Sequence, residues 1–258
     1  MNPFYFGSSE RPLYGVHHPP RERNARESGV VLCYPMGQEY MRSHRAFRQL
    51  ANLLTRKGHH VFRFDYFATG DSAGASGEGS LAQWVADVHL AIDELKDNAS
   101  LESVSLVGLR LGAALAARAS GARRDIDRLV LWDPVVNGRS YLGELYAAAG
   151  ETKPRNGAAP ATLGVLGFPL VPALADEIAE LDLLERDGAC ARSVEIVVSA
   201  EREEYQGLRD RLAGRGLAIE YACVPSPGNW NEVDNFGSAL LPQQLIQEIV
   251  ARFAKEKP

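Results

Sequence analysis

The sequence of 258 residues lacks several features that would assign its class at once. Its three cysteines, Cys33, Cys190 and Cys223, match neither a disulfide framework nor a metal site in number and spacing. No apolar run reaches the roughly 20 residues that a membrane helix needs. The first residues also lack the basic segment and apolar core of a secretory signal. We therefore expect a chain without a membrane span, metal or cofactor, located in a reducing cytoplasm.

The charge is not biased toward basic residues either. The net charge is −5, whereas proteins that bind nucleic acids or anionic membranes usually present basic faces. We expect no nucleic-acid partner and no electrostatic attachment to a membrane. A small molecule is the partner class that the composition leaves open, and a homo-oligomer is compatible with it.

Six apolar, β-rich runs alternate with amphipathic helical patterns. Several of these runs are apolar nearly throughout, which is typical of parallel strands covered on both faces. Two short pieces near the N-terminus, FYFG and LYGVHH, predict an antiparallel hairpin at the edge of the sheet. The alternation predicts an α/β fold with a mostly parallel, doubly wound sheet. The predicted strands are 29–35, 59–65, 103–108, 128–133, 193–199 and 218–224.

One long stretch interrupts the alternation. Residues 137–187 show no strand pattern and combine a loose, Ala/Gly-rich patch with the helical PALADEIAELDLL. We predict a cap over a ligand crevice, inserted into a core of residues 1–136 and 188–258. A surface elaboration without contact to the crevice is the alternative.

The stretch SLVGLRLGAAL, residues 105–115, predicts a buried strand, a sharp turn and a helix of small residues. Enzymes built in this way usually carry G-x-S-x-G at the turn, with the serine as nucleophile. Gly108 and Gly112 are in place here, where strand and helix cross closely, but the central residue is Arg110. The residue at such a turn has strained backbone geometry and points into the crevice. An ordinary strand–helix corner with Arg110 directed to solvent is the alternative.

The other members of a catalytic triad are missing as well. Such enzymes have the order nucleophile, acid, histidine, with the histidine after the last strand. All six histidines of this chain precede Arg110, and the segment after the last predicted strand offers only Asn229, Trp230 and Asn231. Glu201 or Glu203 stands where the acid is expected. The joint absence of nucleophile and base argues against ordinary serine hydrolysis. The six histidines are His17, His18, His44, His59, His60 and His89.

Two other nucleophiles are weaker candidates. GDSAG, residues 70–74, matches G-x-S-x-G letter for letter, but more loop follows it instead of a helix. We expect Asp71 and Ser72 to hold this loop through hydrogen bonds to the backbone. Cys33 lies inside an apolar strand, where cysteine is usually a small core residue.

The elbow and three further stretches resemble the α/β-hydrolase superfamily. The stretches are YPMGQEYMRSHRAFRQLA (34–51), RFDYFATGDSAG (63–74) and LVLWDPVVNGRSYLGEL (129–145). More closely, they resemble the hydrolase-like proteins of exosortase A systems, in the serine aminopeptidase-like branch, some of which share a G-x-R-x-G elbow. The resemblance spans roughly residues 29–250. Ala68 departs from the glycine expected in this pattern. The resemblance implies the fold and a nominal hydrolase class, and it leaves the substrate unspecified.

The resemblance also implies an oxyanion hole made by the N–H of Leu111 and an N–H near Met36 or Gly37. With the start of a helix and a permanently charged guanidinium, such a site suits a carboxylate, a phosphate or an acyl oxyanion. The alternative is an internal ion pair of Arg110 with Asp133 or Glu201, which would make the arginine structural.

Further candidates surround this site. His44 and Glu39 follow the oxyanion loop. Either they line the crevice and act as an acid or a base, or they have structural roles, in which Glu39 neutralises a nearby arginine. Trp132 and Trp230 either wall the pocket or pack. At the entrance to the cap, ligand contact and loop capping are equally compatible with Asn137, Arg139 and Tyr141.

Three functions follow from these alternatives. The first is a non-catalytic homologue that binds an anionic or acyl molecule, free or carried on coenzyme A or an acyl carrier protein, with Arg110 as anchor. The second is an enzyme in which Arg110 stabilises an oxyanion on an ester or thioester while Asp133, Glu201 or His44 transfers a proton. The third is a scaffold whose crevice is filled by its own side chains.

Overall fold

The computed structural model describes residues 1–20, 25–150, 163–185, 190–226, 230 and 241–254. Eight strands form one sheet in the order β1-β2-β4-β3-β5-β6-β9-β10. They are β1 (Asn2–Gly7), β2 (Pro12–His18), β3 (Gly29–Cys33), β4 (His60–Phe64), β5 (Val104–Leu109), β6 (Ile126–Trp132), β9 (Ser193–Val198) and β10 (Ala218–Cys223).

The sheet confirms the predicted α/β architecture. The β1–β2 hairpin is antiparallel and lies at one edge of the sheet. The other six strands run parallel to one another, in the order β4, β3, β5, β6, β9 and β10. The strands β3, β5, β6 and β9 are buried along their whole length, as their largely apolar sequences predict.

Helices cover both faces of the sheet. Helix α1 (Gly37–Arg56) contacts α7 (Gln243–Ala254), while α2 (Leu81–Ala99) contacts α3 (Leu111–Gly121). Helix α6 (Glu203–Ala213) joins β9 to β10. Ser80 caps α2, because its side chain accepts a hydrogen bond from the Gln83 N–H, as the capping-box spacing predicts. The stretch SHRAFRQLANLLTRKG predicts a helix from Ser43 onward, but α1 begins six residues earlier and so includes Glu39.

The long insertion lies between β6 and β9, as predicted, but it is not free of strands. It contains α4 (Gly138–Ala148), a short antiparallel hairpin of β7 (Leu163–Val165) and β8 (Phe168–Leu170), and α5 (Pro172–Ala179). Sequence patterns missed the hairpin because its strands have only three residues each. Asn137 caps α4, because its side chain accepts a hydrogen bond from the Ser140 N–H. Of the two roles considered for this residue, ligand contact and loop capping, the structure shows the capping role. The limits of the cap at 137 and 187 remain a prediction.

Candidate functional site

The turn after β5 has the geometry of a nucleophile elbow. Arg110 adopts φ 52° and ψ −119° between the end of β5 and the start of α3. A positive φ is strained for an arginine and persists only where the surrounding structure imposes it. A Cβ on Gly108 would lie 2.4 Å from the Gly112 carbonyl oxygen, and one on Gly112 only 2.3 Å from the Cys33 and Tyr34 carbonyl oxygens. The two glycines therefore permit the close crossing that the sequence predicts.

Arg110 is buried and held by two carboxylates. Its Nε donates to Glu39 Oε1 over 2.9 Å, and its Nη2 donates to Glu144 Oε2 over 2.5 Å. Asp133 does not form the ion pair with Arg110 that the sequence suggested, and neither does Glu201. The pairing considered from the sequence is therefore corrected to Glu39 and Glu144. Glu39 instead takes the role of neutralising the arginine, because α1 starts early enough to carry it over the elbow.

The ion pair continues in both directions. The Tyr141 hydroxyl donates to Glu39 Oε2 over 2.9 Å, so both oxygens of this fully buried carboxylate are bonded. Arg202 Nη1 donates to Glu144 Oε1 over 2.5 Å. The network thus joins α1, the elbow, the cap helix α4 and the start of α6.

The titration behaviour follows from this pairing. Burial alone would lower the pKa of Arg110, but Glu39 and Glu144 raise that pKa well above its usual value. Burial and the negative charge of Glu39 together raise the pKa of Tyr141. Burial opposes ionisation of Glu144, yet Arg110 and Arg202 still hold its pKa below the usual value. Arg110 and Glu144 are therefore charged, and Tyr141 stays protonated, throughout the neutral range.

Asp133 is fixed by other groups at the end of β6. Its Oδ1 accepts from the Ser199 N–H at 2.6 Å and from the Ser199 hydroxyl at 2.9 Å. Its Oδ2 accepts from the Trp230 indole N–H at 3.2 Å. Three donors thus satisfy this carboxylate, which is itself almost completely buried.

A cavity of about 470 Å³ opens above the elbow. Its volume falls in the range of small-molecule sites. The charged groups that line it are two arginines, Arg110 and Arg202, and two carboxylates, Asp133 and Glu144, so their charges balance. The other described lining residues are Ala147, Ala148, Ser199, Ala200, Tyr205, Ser226 and Trp230. An open cavity of this size argues against a crevice filled by its own side chains.

Several predicted residues lie elsewhere. His44 lies in a different cavity, between α1 and strands β2 and β4, and no histidine in the described part of the chain lines the cavity above Arg110. Glu201 is exposed and accepts from Gln206 and Tyr221, whose hydrogen bonds lower its pKa. Asn229 and Asn231 lie outside the described residues.

The oxyanion-loop residues border a third cavity. Met36 and Gly37 begin α1 and line an apolar cavity of about 220 Å³, together with Phe168 and Leu174 of the insertion. The insertion therefore lines this cavity, and through Glu144 of α4 it also lines the cavity above the elbow. Leu111 is the first residue of α3, so its N–H has no acceptor within that helix. Trp132 is fully buried against Phe47 and Trp230, which makes it a packing residue.

Neither alternative nucleophile is set up for chemistry. The Ser72 hydroxyl donates to the Asp65 carbonyl over 2.6 Å and accepts from the Tyr14 N–H over 2.8 Å, so it holds the loop as predicted. Cys33 is fully buried, and this burial raises the pKa of its thiol to about 12.

Sequence reasoning missed Glu144, Arg202 and Tyr205. One signal was available for Glu144, because it lies three residues after Tyr141 and thus on the same helix face. No local signal pointed to Arg202 or Tyr205. Within the described residues, no group of three or more His, Cys, Asp or Glu side chains could hold a metal. No described helix is long and apolar enough to cross a membrane.

The fold and the elbow are those of the α/β hydrolases. The model of the family described as "Serine aminopeptidase, S33" matches residues 29–196, more than half of the chain. The chain therefore belongs to this family, which confirms the superfamily suggested by the sequence motifs.

Individual relatives give narrower information. The chain is 42% identical over 97 residues to human "Palmitoyl-protein thioesterase ABHD10, mitochondrial", a match that covers 38% of this chain and only 30% of that protein. The structure of mouse "Alpha/beta hydrolase domain-containing protein 10" is similar with a TM-score of 0.59 at 15% identity, over 98% of this chain and 97% of that one. Est1E from Butyrivibrio proteoclasticus, bound to ferulic acid, has a TM-score of 0.67 at 13% identity, over 98% of both chains. These structural matches establish the fold alone.

Proposed function

We propose that this chain binds a small acyl molecule in the crevice above the elbow and does not carry out serine hydrolysis. The observation that supports this most directly is that Arg110, and not a serine, lies at the elbow. Its guanidinium is held there by hydrogen bonds to Glu39 and Glu144. A protonated guanidinium that is paired in this way cannot act as a nucleophile toward a carbonyl carbon. The absence of any histidine after position 110 in the sequence supports the same conclusion.

The charge balance favours an acyl ligand over a purely anionic one. Two carboxylates already neutralise Arg110, so its attraction for a further anion is weak. Arg202 shares Glu144 as well, although 43% of its side chain is exposed and remains accessible to a ligand headgroup. We therefore assign Arg110 a structural role in shaping the crevice. We place the polar end of the ligand in the cavity beside Arg202 and Tyr205.

We assign the acyl end of the ligand to the apolar cavity, which shares no described lining residue with the cavity above the elbow. Met36, Phe168 and Leu174 line it, and its volume of about 220 Å³ is below the usual range for drug-sized ligands. A short acyl chain fits this size better than a long one. The acyl group would arrive free, or attached to coenzyme A or an acyl carrier protein.

The first experiment tests the absence of serine chemistry. A fluorophosphonate probe should label no serine of the native protein, and p-nitrophenyl acetate and octanoyl-coenzyme A should be hydrolysed no faster than without protein. Mass spectrometry after labelling reads out each serine separately. A stoichiometric adduct on any serine would falsify this part of the proposal.

The second experiment tests acyl binding. Octanoate should displace a fluorescent fatty acid from the native protein, and Phe168→Asp should weaken displacement about tenfold by placing a charge in the apolar cavity. Leu90→Asp is the matched control, because Leu90 is an exposed apolar residue on α2, outside the cavity. If octanoate does not bind the native protein, or binds Phe168→Asp equally well, the acyl site is wrong.

The name of the human relative, a thioesterase, favours a second candidate, an ester or thioester hydrolase. In that case Arg110 would stabilise an oxyanion, and Asp133, which lines the same cavity, would activate water. Turnover of octanoyl-coenzyme A that is lost in Asp133→Asn would establish this enzyme in place of the binding protein.

A further inference from the structure

Another cavity of about 220 Å³ lies between α1 and the strands β2 and β4. We call it the α1 cavity. Tyr40, His44 and Arg48 face it from one side of α1, at the four-residue spacing of a helix face. Arg63 and Asp65 face it from β4 and the residue after it. It shares no described lining residue with the cavity above Arg110, and it shares Tyr40 with the apolar cavity that Met36 and Phe168 line.

Arg63 is the unusual group in this cavity. Its side chain is buried, with 6% of the residue exposed. Its Nε donates to His18 Nε2 over 3.0 Å, and its Nη1 donates to the Tyr34 hydroxyl over 2.9 Å. Both acceptors are uncharged near pH 7, because burial and the nearby Arg63 lower the pKa of His18 to about 4, and burial raises the pKa of Tyr34 to about 12.

In the part of the chain that the structure describes, this buried guanidinium thus forms no direct ion pair with a carboxylate. Asp65 is close in sequence, but the Tyr40 hydroxyl donates to its Oδ1 over 2.8 Å and the Asp71 N–H to its Oδ2 over 3.0 Å. Arg110 provides the contrast, since two carboxylates contact that guanidinium directly. Taking a charge out of water without a counterion is costly, so buried charges are normally paired.

A second permanent cation stands at the mouth of the cavity. Arg48 is exposed there, one helical turn from His44. Burial lowers the pKa of His44, with Arg63 and Arg48 adding to the effect and Asp65 opposing it, so His44 is a neutral hydrogen-bonding group near pH 7. Asp65 and Asp71 also line the cavity, and they disfavour an anion placed on their side.

We propose that the α1 cavity binds a small anion that carries a carboxylate or a phosphoryl group, with Arg63 at its inner end and Arg48 at its mouth. The anion pairs directly with Arg63, through charge-assisted hydrogen bonds to the guanidinium. The volume suits such a ligand, because a water molecule takes about 30 Å³ in the liquid and the cavity exceeds this several-fold.

Isothermal titration of the 258-residue chain with sodium phosphate and with sodium succinate tests this site, against sodium chloride at equal ionic strength. We expect saturable binding of at least one of the two, and the better ligand identifies the phosphoryl or the carboxylate class. Arg63→Gln should weaken this binding about tenfold or more, because it removes a charge-assisted hydrogen bond. Arg56→Gln removes the same charge from an exposed position of α1 outside the cavity and should bind like the native protein.

Two further measurements keep the test decisive if Arg63→Gln does not fold. Arg48→Gln changes only an exposed side chain and should weaken binding by a smaller factor. The ring protons of His44, followed by NMR, should report a higher pKa when the anion is bound. Absence of saturable binding at millimolar phosphate and succinate would overturn the proposal, as would equal affinity in Arg48→Gln and Arg56→Gln.

Discussion

The guanidinium of Arg110 and the carboxylate of Glu39 form a buried ion pair at the elbow, with Nε and Oε1 2.9 Å apart. The side chains are 6% and 0% exposed, so the carboxylate of Glu39 cannot be solvated if Arg110 is removed. Tyr141 and Glu144 complete the arrangement from the cap helix. The pair compensates the charge of an arginine that is buried at a turn with a positive φ.

The first prediction concerns the stability of this pair. Arg110→Met should lower the free energy of unfolding by about 3–5 kcal/mol, because it leaves Glu39 buried without a counterion. Adding Glu39→Gln should recover part of the loss, since a neutral amide still accepts from Tyr141. Urea denaturation of the two single variants and the double variant measures the coupling.

Arg56→Met is the control for this cycle, because Arg56 is exposed near the end of α1. It should change the free energy of unfolding by less than about 0.5 kcal/mol. Equal and small losses in Arg110→Met and Arg56→Met would show that Arg110 is not a buried, paired charge.

The second prediction concerns the restoration of a nucleophile. The double variant Arg110→Ser with Glu39→Gln should not hydrolyse p-nitrophenyl acetate, because no histidine in the described part of the chain lines the cavity and can activate the serine. Stopped-flow absorbance at high protein concentration measures any burst of p-nitrophenolate. A burst equal to the protein concentration would mean that a base is present after all.

The third prediction concerns the crossing of β5, α3 and β3. Gly112→Ala should lower the free energy of unfolding by about 3 kcal/mol, because its Cβ would lie 2.3 Å from two backbone oxygens that cannot move independently. Thermal or urea denaturation measures the loss.

Gly143→Ala is the matched control, since Gly143 also lies inside a helix but has nothing within 4 Å of the added Cβ. It should raise the free energy of unfolding by about 0.4–1 kcal/mol, because alanine restricts the unfolded chain. Similar effects of the two substitutions would contradict the close approach at Gly112.

The fourth prediction concerns acidification. Burial lowers the pKa of His18 from 6.5 to about 4. The unfolded chain therefore takes up a proton at His18 below pH 6.5, and the folded chain only near pH 4. The stability that depends on neutral His18 is fully present above pH 6.5 and is lost as the pH falls toward 4, by up to about 3 kcal/mol.

His18→Gln tests this assignment, because glutamine does not titrate and its carbonyl oxygen can still accept from Arg63. Between pH 7 and 4, the unfolding free energy of this variant should fall less steeply than that of the native protein. Identical pH dependence of the two proteins would show that His18 titrates normally in the folded state.

The elements and the elbow were accessible from sequence because their signals are local. The apolar runs that became β3, β5, β6 and β9 are continuous in the chain, and the two glycines flank position 110 within five residues. The short hairpin β7–β8 was not predicted, because strands of three residues are too short to show a period-two pattern. The early start of α1 escaped because Met36, its first boundary residue, makes no side-chain cap.

The sequence by itself determined the class of fold, the arginine between Gly108 and Gly112 and the lack of a histidine after it. Only the tertiary structure decided what that arginine does. Its partners Glu39 and Glu144 are 71 and 34 residues away in the chain, and several acidic residues were equally compatible with the sequence. The choice among them depended on which helix faces packing brings over the elbow, and pairing at such separations leaves no periodic trace in the sequence.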